Sequence, residues 1–152
     1  MASIEFRDER VVFTSDVQGP MHTPTLDMIL AEKPQLVIVG GPPTYLAGFR
    51  VNEENIETGM RNLKRLVENV PTTILEHHLL RDENWRSLSQ HIFNAANTLG
   101  HKVLTAAEYT GTKNNFLEFR RRQLFEIEPP DSDFEKWLKQ PLQKRKLSKP
   151  PI

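Results

Sequence analysis

Two adjacent histidines follow a short apolar segment in the middle of the chain. The polar residues that come after residues 72–75 are Glu76, His77, His78, Arg81 and Asp82. Imidazole and carboxylate groups act as general acids and bases, and they are also ligands of zinc. The structural alternative is one packed and one solvated histidine, with Arg81 and Asp82 forming a surface ion pair that contributes little to stability.

Polar groups follow two other apolar segments. Ser15 and Asp16 come after residues 10–14, and a loop rich in glycine and proline comes after residues 35–39. The residues of this loop are Gly40, Gly41, Pro42, Pro43, Thr44 and Tyr45. Its backbone is open at the glycines and rigid at the prolines, which suits an approach of main-chain N–H groups to a ligand. A Walker A motif is excluded because Gly-Lys-Ser/Thr is absent, so locally a tight turn is the competing interpretation.

The elements that must position these groups follow from the hydrophobic pattern. Short β-prone runs predict strands at residues 4–6, 10–14, 35–39, 72–75 and 102–104. Apolar residues at helical spacing predict helices at residues 24–31, 55–69, 84–99 and 116–126, with Thr23 as the N-cap of the first. The helix at 84–99 is expected to turn Trp85, Leu88 and Ile92 inward. Strands alternating with helices predict an α/β fold with a mixed sheet, flanking helices and a hairpin at one side.

The three polar groups all stand at predicted strand ends. Ligands of open α/β sheets collect outside the carboxyl ends of the strands. We therefore expect Asp16 and one of His77 and His78 to lie within a few ångströms of a common point, with residues 40–45 along the same edge. Because neighbouring strand residues face opposite ways, one of the two histidines is expected to point away from that common point.

Composition limits the class of protein. The chain has 152 residues, no cysteine, and 20 basic against 20 acidic side chains. Its mean hydropathy is −0.52, and no apolar run is long enough for a membrane span. With no apolar leader at the N-terminus, these features predict a cytoplasmic protein without disulfides. We expect one domain over residues 1–128 and a basic, Pro-rich, partly disordered tail over residues 129–152.

The segments FTSDVQGP, VGGPPTYL and ILEHHLLRD together resemble the carboxy-terminal half of the metallo-β-lactamase superfamily. The resemblance is closest to the archaeal predicted metal-dependent hydrolases of uncharacterised function, and it extends over about residues 4–126, including the run LEFRRRQL. It implies half of a four-layer αββα sandwich with a metal site at one edge of two packed sheets.

The resemblance also implies roles for individual residues. Asp16 matches the carboxylate that bridges two divalent ions, and either His77 or His78 matches the histidine that completes one coordination sphere. Asp16 and His77 are the implied catalytic residues, and Glu76, Arg81 and Asp82 would lie around the ligands. The implied ion is divalent, with zinc favoured, and the implied reaction is hydrolysis of a phosphoester, amide, ester or lactone.

The superfamily's main metal motif, His-x-His-x-Asp-His, is nowhere in the sequence. The isolated chain is therefore expected to bind metal weakly or not at all, and to have little or no hydrolase activity. Half a sandwich also leaves apolar sheet surface to be covered, either by another copy of the chain or by a separately encoded amino-terminal half. Such association is expected to bury Val11, Phe13, Val37, Val39, Ile74 and Leu75, which together lie on both faces of the sheet.

Two other functions compete with hydrolysis. The chain could be a non-catalytic half-domain that serves as an oligomerising or interaction module. Nucleic-acid binding would depend on the basic runs at residues 120–122 and 144–146. Runs of three basic residues are usually solvated surface, and the net charge is zero, so a nucleic-acid partner is not expected.

Overall fold

The computed structural model describes residues 1–151 and has an α/β fold. The strands are β1 (Ala2–Phe6), β2 (Glu9–Phe13), β3 (Leu36–Val39), β4 (Thr72–Leu75) and β5 (Lys102–Thr105). The α-helices are α1 (Thr23–Ala31), α2 (Glu53–Asn69), α3 (Trp85–Leu88), α4 (Gln90–Thr98), α5 (Ala106–Tyr109), α6 (Arg121–Ile127), α7 (Ser132–Leu138) and α8 (Leu142–Arg145). The predicted mixed sheet with flanking helices and a terminal hairpin is confirmed.

The sheet is ordered β1-β2-β3-β4-β5, with β1 antiparallel to β2 and every other pair parallel. Ile38 of β3 stands opposite Phe13 on one side and Ile74 on the other, and Ile74 stands opposite Leu104. The carboxyl ends of β2, β3, β4 and β5 consequently share one edge, which carries the polar groups predicted at the strand ends.

The core lies on one face of this sheet. Val12, Val37 and Leu75 point into a fully buried cluster with Leu26 of α1 and Leu63 of α2. Val103 of β5 and Ile92, Phe93 and Ala96 of α4 belong to the same cluster. The strand order explains why the core lies on one face. From β2 to β5 each parallel strand is added on the same side of the one before it. Because crossovers between parallel strands are right-handed, all the connecting helices then lie on the same face of the sheet.

The opposite side of the sheet, here called the open face, carries apolar side chains as well. Its members by register are Ile4, Phe6, Val11, Phe13, Leu36, Ile38, Ile74 and Leu104. Ile4 is 62% exposed and Phe6 69%, whereas Ile74 at the centre of the sheet is 4% exposed. Val37, Val39 and Leu75 are already buried by this chain's own helices, so of the six residues expected to be buried by association only Val11, Phe13 and Ile74 lie on the open face.

The predicted helix at residues 84–99 is wrong as a single element. It is two helices, α3 and α4, interrupted at Ser89, whose buried hydroxyl donates to the carbonyl of Trp85 at 2.7 Å. Such a bond from a serine to the preceding turn bends a helix. The interruption turns Leu88 outward, to 43% exposure, and brings Phe93 into the core.

Two further local predictions are wrong. Helix α6 begins at Arg121 rather than at residue 116. Phe116 instead lies in irregular chain, where its ring packs edge-on against Trp85 with centroids 5.7 Å apart. Thr23 is already helical, and the N-cap of α1 is His22.

The chain divides into two compact units, Met1–Phe119 and one that begins at Arg120. The second contains α6, α7 and α8, with Phe134 stacked on Trp137 at 5.8 Å between centroids. The predicted domain and tail, residues 1–128 and 129–152, stay predictions. Within residues 1–151, no helix combines the length and apolar character needed to cross a membrane.

Candidate functional site

Asp16 is positioned by an extension of β2. The backbone N–H and the hydroxyl of Thr14 both donate to the carbonyl of Ile38, at 3.0 and 3.1 Å, and continue the pairing with β3. Ser15 and Gln18 then adopt positive φ values of 55° and 52°, so the backbone turns sharply on both sides of Asp16. Such left-handed conformations of residues other than glycine cost on the order of 1–3 kcal/mol each, and they cluster at functional sites.

The two histidines follow the last pairing between β4 and β3, in which the N–H of Glu76 donates to the carbonyl of Val39 at 2.9 Å. His77 and His78 lie in the turn that leads into a 3-10 segment at Leu79–Arg81. Strand alternation no longer applies there, and the two rings lie close together with centroids 4.3 Å apart. The expectation that one of the histidines must point away is therefore wrong.

Asp16, His77 and His78 form a cluster at the carboxyl edge of the sheet. One potential ligand atom from each residue lies within 4.8 Å of the others. His78 makes the closer contact, with Nε2 2.5 Å from Oδ1 of Asp16. The side chain of His78 is 10% exposed, against 39% for His77 and 57% for Asp16, so the cluster is open to solvent on the Asp16 side. The predicted proximity is present, with His78 rather than His77 as the partner of Asp16.

Burial is the main influence on the protonation of His78. Desolvation lowers the pKa of its imidazole below the ordinary value, and the neighbouring side chains of His77 and Arg81 act in the same direction. The carboxylate of Asp16 opposes this shift and only partly offsets it. At neutral pH the imidazole is consequently neutral, with one ring nitrogen free to act as an acceptor or a metal ligand.

The loop at residues 40–45 is packed against the histidine turn. A Cβ on Gly40 would lie 3.3 Å from Cε1 of His77 and 3.5 Å from Cδ2 of His78, so the absent side chain leaves room for the imidazoles. The carbonyl of Gly40 accepts the N–H of Leu79 at 3.1 Å. Gly41 has φ +62° and lies directly against Leu79. Pro42 fills a slot between Gly19 and Gly59, which fixes the loop on the body of the fold.

The other predicted residues lie around this cluster. Glu76 approaches Nδ1 of His77 at 3.5 Å. Arg81 donates to the hydroxyl of Tyr45 at 3.1 Å, and this bond raises the pKa of its guanidinium. Asp82 accepts from the hydroxyl of Thr44 at 2.6 Å and from the N–H of Asn84 at 2.9 Å, so it holds the loop to the turn.

One contact in this region escaped the sequence interpretation. The hydroxyl of Tyr45 lies 3.4 Å from Nδ1 of His78. The sequence placed Tyr45 along the same edge but carried no signal for this pairing, because it depends on how two separate loops approach each other.

The remaining histidines lie elsewhere. His22 contacts Thr25 at the start of α1, His101 contacts the carbonyl of Val67, and His91 is exposed on α4. Within residues 1–151, Asp16, His77 and His78 form the single group of three acidic or histidine side chains close enough to share an ion.

A cleft of about 300 Å³ opens beside His77. Leu80 and Phe116 supply apolar walls, and Arg81 and Glu118 supply charge, with their side chains 3.8 Å apart. A group held in this cleft would lie next to the cluster. The cleft combines an apolar wall with a few polar groups, as is common in small-molecule sites.

Comparison with known proteins finds archaeal relatives. The chain is 41% identical over 121 residues to a UPF0282 protein of Methanopyrus kandleri, covering 80% of this chain and 40% of that protein. It is 34% identical over 131 residues to a UPF0282 protein of Korarchaeum cryptofilum, covering 86% of this chain and 44% of that protein. A UPF0282 protein of Sulfolobus acidocaldarius is 34% identical over 125 residues, which covers 82% of this chain and 40% of the relative.

This chain is similar to archaeal UPF0282 proteins. It spans about two-fifths of the length of the curated relatives it matches. No family model matches the sequence. No solved structure matches it either.

Proposed function

We propose that this chain is part of a metal-dependent hydrolase of the metallo-β-lactamase superfamily and supplies half of its αββα sandwich. The observation that carries the proposal is the convergence of Asp16, His77 and His78 at the carboxyl edge of β2 and β4. Nitrogen and oxygen donors from two strand ends, beside an open cleft, suit hydrolytic chemistry. The matched UPF0282 relatives are archaeal, as is the family that the motifs resemble.

The donor set fits one divalent ion, with zinc favoured. Two imidazoles and a carboxylate are ordinary zinc ligands, and three protein ligands with one open position are the minimum of a catalytic site. Ligands on a common tetrahedral zinc lie about 3.3 Å apart, given bonds of about 2.0–2.1 Å. His78 and Asp16 are separated by 2.5 Å, so they would have to move apart by less than 1 Å to admit an ion.

Each residue has a defined task in this proposal. His78, fixed by burial, and His77, beside the cleft, would hold the ion from one side, and Asp16 would hold it from the other. Glu76 would orient His77 through its contact with Nδ1. The ion itself would supply Lewis acidity toward the bond that is hydrolysed. Arg81 and the apolar wall of the cleft would hold the substrate beside the cluster.

The set is too small for the dinuclear site that the resemblance implies. His-x-His-x-Asp-His is absent, and the matched relatives extend well beyond the region they share with this chain. The chain alone is therefore expected to bind zinc weakly and to hydrolyse little. Either a second copy or a separately encoded amino-terminal half would supply the missing ligands and cover the open face. A location in the cytoplasm remains part of the proposal.

Calorimetric titration with zinc tests the ligand set. Asp16→Asn and His78→Gln should each weaken binding at least about tenfold, because each removes one of only three ligands. His91→Gln, a matched change on exposed α4, should leave the affinity unchanged. An affinity that is insensitive to Asp16 and His78 would contradict the proposed centre.

Hydrolysis of a chromogenic phosphodiester and of a chromogenic ester tests whether the chain needs another half for activity. The purified chain should be nearly inactive, and activity should appear when it is co-purified with the amino-terminal region of a UPF0282 relative. Robust turnover by the chain alone, lost with a chelator and in Asp16→Ala, would show that no other half is needed.

A second candidate function is favoured by the open face. Ile4, Phe6 and Phe13 present exposed apolar side chains on one side of the sheet, as an oligomerising or interaction module would. Stable association through this face without zinc binding, even in the presence of the amino-terminal region, would support the module and exclude the hydrolase.

A further inference from the structure

Four side chains connect the candidate metal centre to the loop at residues 40–45. Asp16 contacts Nε2 of His78 at 2.5 Å, and Nδ1 of the same ring lies 3.4 Å from the hydroxyl of Tyr45. Arg81 donates to that hydroxyl at 3.1 Å. Both ring nitrogens of a largely buried imidazole therefore have partners on this chain.

The donors and acceptors in this chain of contacts allow one direction. The carboxylate of Asp16 can only accept, so Nε2 of the neutral imidazole must donate to it and Nδ1 must be the acceptor. Arg81 can only donate to the oxygen of Tyr45, and the Tyr45 proton donates to Nδ1 of His78. Nδ1 then carries the lone pair, and Nε2 carries the proton that faces Asp16. An ion bound at Nε2 requires the opposite tautomer, in which Nε2 has the lone pair and Nδ1 has the proton.

We propose that Tyr45 is the positioning residue for His78, and that its phenol oxygen, anchored by Arg81, accepts the Nδ1–H of His78 when Nε2 binds a divalent ion. This inference rests on the proposed function. The imidazole stays neutral throughout: it loses the proton on Nε2 and gains one on Nδ1 through solvent. The oxygen of Tyr45 has two lone pairs, enough for Arg81 and His78 together, and its own proton turns to solvent.

Several contacts suit Tyr45 to this task. Its 3-10 turn, Thr44–Leu46, is tied to the histidine turn by the bond from Thr44 to Asp82 at 2.6 Å. Arg81 approaches from the 3-10 segment that directly follows His78. Tyr45 itself is 38% exposed, so these contacts rather than burial fix its hydroxyl. His78 is far less exposed, so water is a poor substitute at Nδ1.

Nitrogen NMR of the histidine rings provides a direct test. Without metal, His78 should show a protonated Nε2 and an unprotonated Nδ1; with zinc, Nε2 should be metal-bound and Nδ1 protonated. Tyr45→Phe should weaken zinc binding about 10–100-fold, the usual effect of losing a hydrogen-bond partner behind a metal-ligating histidine. Tyr109→Phe is the matched control, since Tyr109 is the other tyrosine and is exposed on α5.

The outcomes separate this inference from the proposed function. A wild-type chain that binds no zinc even when it is co-purified with the amino-terminal region of a UPF0282 relative overturns both. Zinc binding that is lost in Asp16→Asn but unchanged in Tyr45→Phe overturns only the role of Tyr45. A protonated Nδ1 in the metal-free protein also overturns the inference. Circular dichroism melting of Tyr45→Phe and Tyr109→Phe should coincide, which would show that the loss of affinity is not unfolding.

Discussion

His78 and Asp16 have unequal environments although they touch. His78 is largely buried, whereas more than half of the Asp16 side chain is exposed. Water screens an exposed carboxylate, so it attracts a cation weakly. Asp16 therefore raises the pKa of His78 by less than desolvation lowers it. The pair is therefore a neutral imidazole beside a solvated carboxylate.

This environment predicts how stability depends on pH in metal-free buffer. The pKa of His78 is lower in the folded than in the unfolded chain, so below about pH 6.5 the unfolded chain binds the extra proton. As the pH falls from about 6.5 toward the pKa of His78 in the folded chain, His78 should make folding less favourable. Above about pH 6.5, His78 is neutral in both the folded and the unfolded chain, and its contribution to stability is constant.

Urea denaturation between about pH 7.5 and pH 5 can measure this contribution. His78→Gln should lose less stability on acidification than the wild-type chain, and the exposed control His91→Gln should lose as much as wild type. The side chains of Asp16, His77 and Arg81 are the neighbours that act on the pKa of His78, and both variants retain them. Equal pH slopes in His78→Gln and wild type would contradict the lowered pKa.

The sequence was sufficient to predict that these residues meet, because parallel strands align their carboxyl ends and Asp16, residues 40–45 and the histidines all follow such strands. It was insufficient to choose between the histidines. Two residues beyond the end of β4 the backbone has left the extended conformation, and strand alternation cannot be carried into a turn.

At the scale of elements, close approach of two loops holds the site in place. Gly41 lies against Leu79, a fully buried residue at the start of the segment that follows the histidines. The sequence GGPP predicted a turn with an unusual backbone, and Gly41 has the positive φ that such a turn requires. The sequence could not show that Leu79 is the neighbour that leaves no room for a side chain at position 41.

Gly41→Ala should be clearly more destabilising than Gly100→Ala. Both glycines have positive φ, +62° and +74°, so both variants should lose about 1–2 kcal/mol from backbone strain. A Cβ at position 41 would lie 2.5 Å from Cβ of Leu79, whereas nothing lies within 4 Å at position 100. Overpacking should therefore add about 1–3 kcal/mol at position 41 alone.

Chemical denaturation of the two variants gives the comparison. If Gly41→Ala and Gly100→Ala lost equal stability, the contact between the loop and Leu79 would be refuted. Zinc affinity should fall in Gly41→Ala only, because displacement of Leu79 moves the turn that carries His77 and His78.

The interrupted helix shows the limit of periodicity. Residues 84–99 have apolar side chains at helical spacing, but the helix is interrupted at Ser89, whose buried hydroxyl donates to the carbonyl of Trp85. Phe93 is buried in the core and Leu88 is exposed. Both side chains are apolar, so residue type alone could not predict which of the two would be buried. The packing of α4 against β5 and α2 determines which of the two side chains is buried.

For the whole molecule, the central fact is a parallel sheet with its connecting helices on one side. Sheets of this kind are normally covered on both faces, because their strands are apolar on both. Here β2, β3, β4 and β5 follow that composition, and the open face keeps Ile38, Ile74 and Leu104 in register at its centre. The connecting helices cover one face of the sheet only. On the other face Ile74 at the centre is 4% exposed, and the exposed apolar residues are Ile4, Phe6 and Phe13.

The open face predicts self-association of the isolated chain. Phe6→Glu combined with Phe13→Glu should convert the associated species to monomer, because each places a charge where apolar side chains are buried on association. Met28→Glu is the control: Met28 is 60% exposed on α1, on the helical side of the sheet, and its substitution should leave the mass unchanged.

Sedimentation velocity provides the measurement, and its result bears on the choice between the two proposed functions. The double variant should also fail to co-purify with the amino-terminal region of a UPF0282 relative if both partners use the same face. A wild-type chain that is monomeric and does not bind that region would remove the case for a covering partner. Activity would then have to come from Asp16, His77 and His78 alone, the one group of three acidic or histidine side chains within residues 1–151 that could hold an ion.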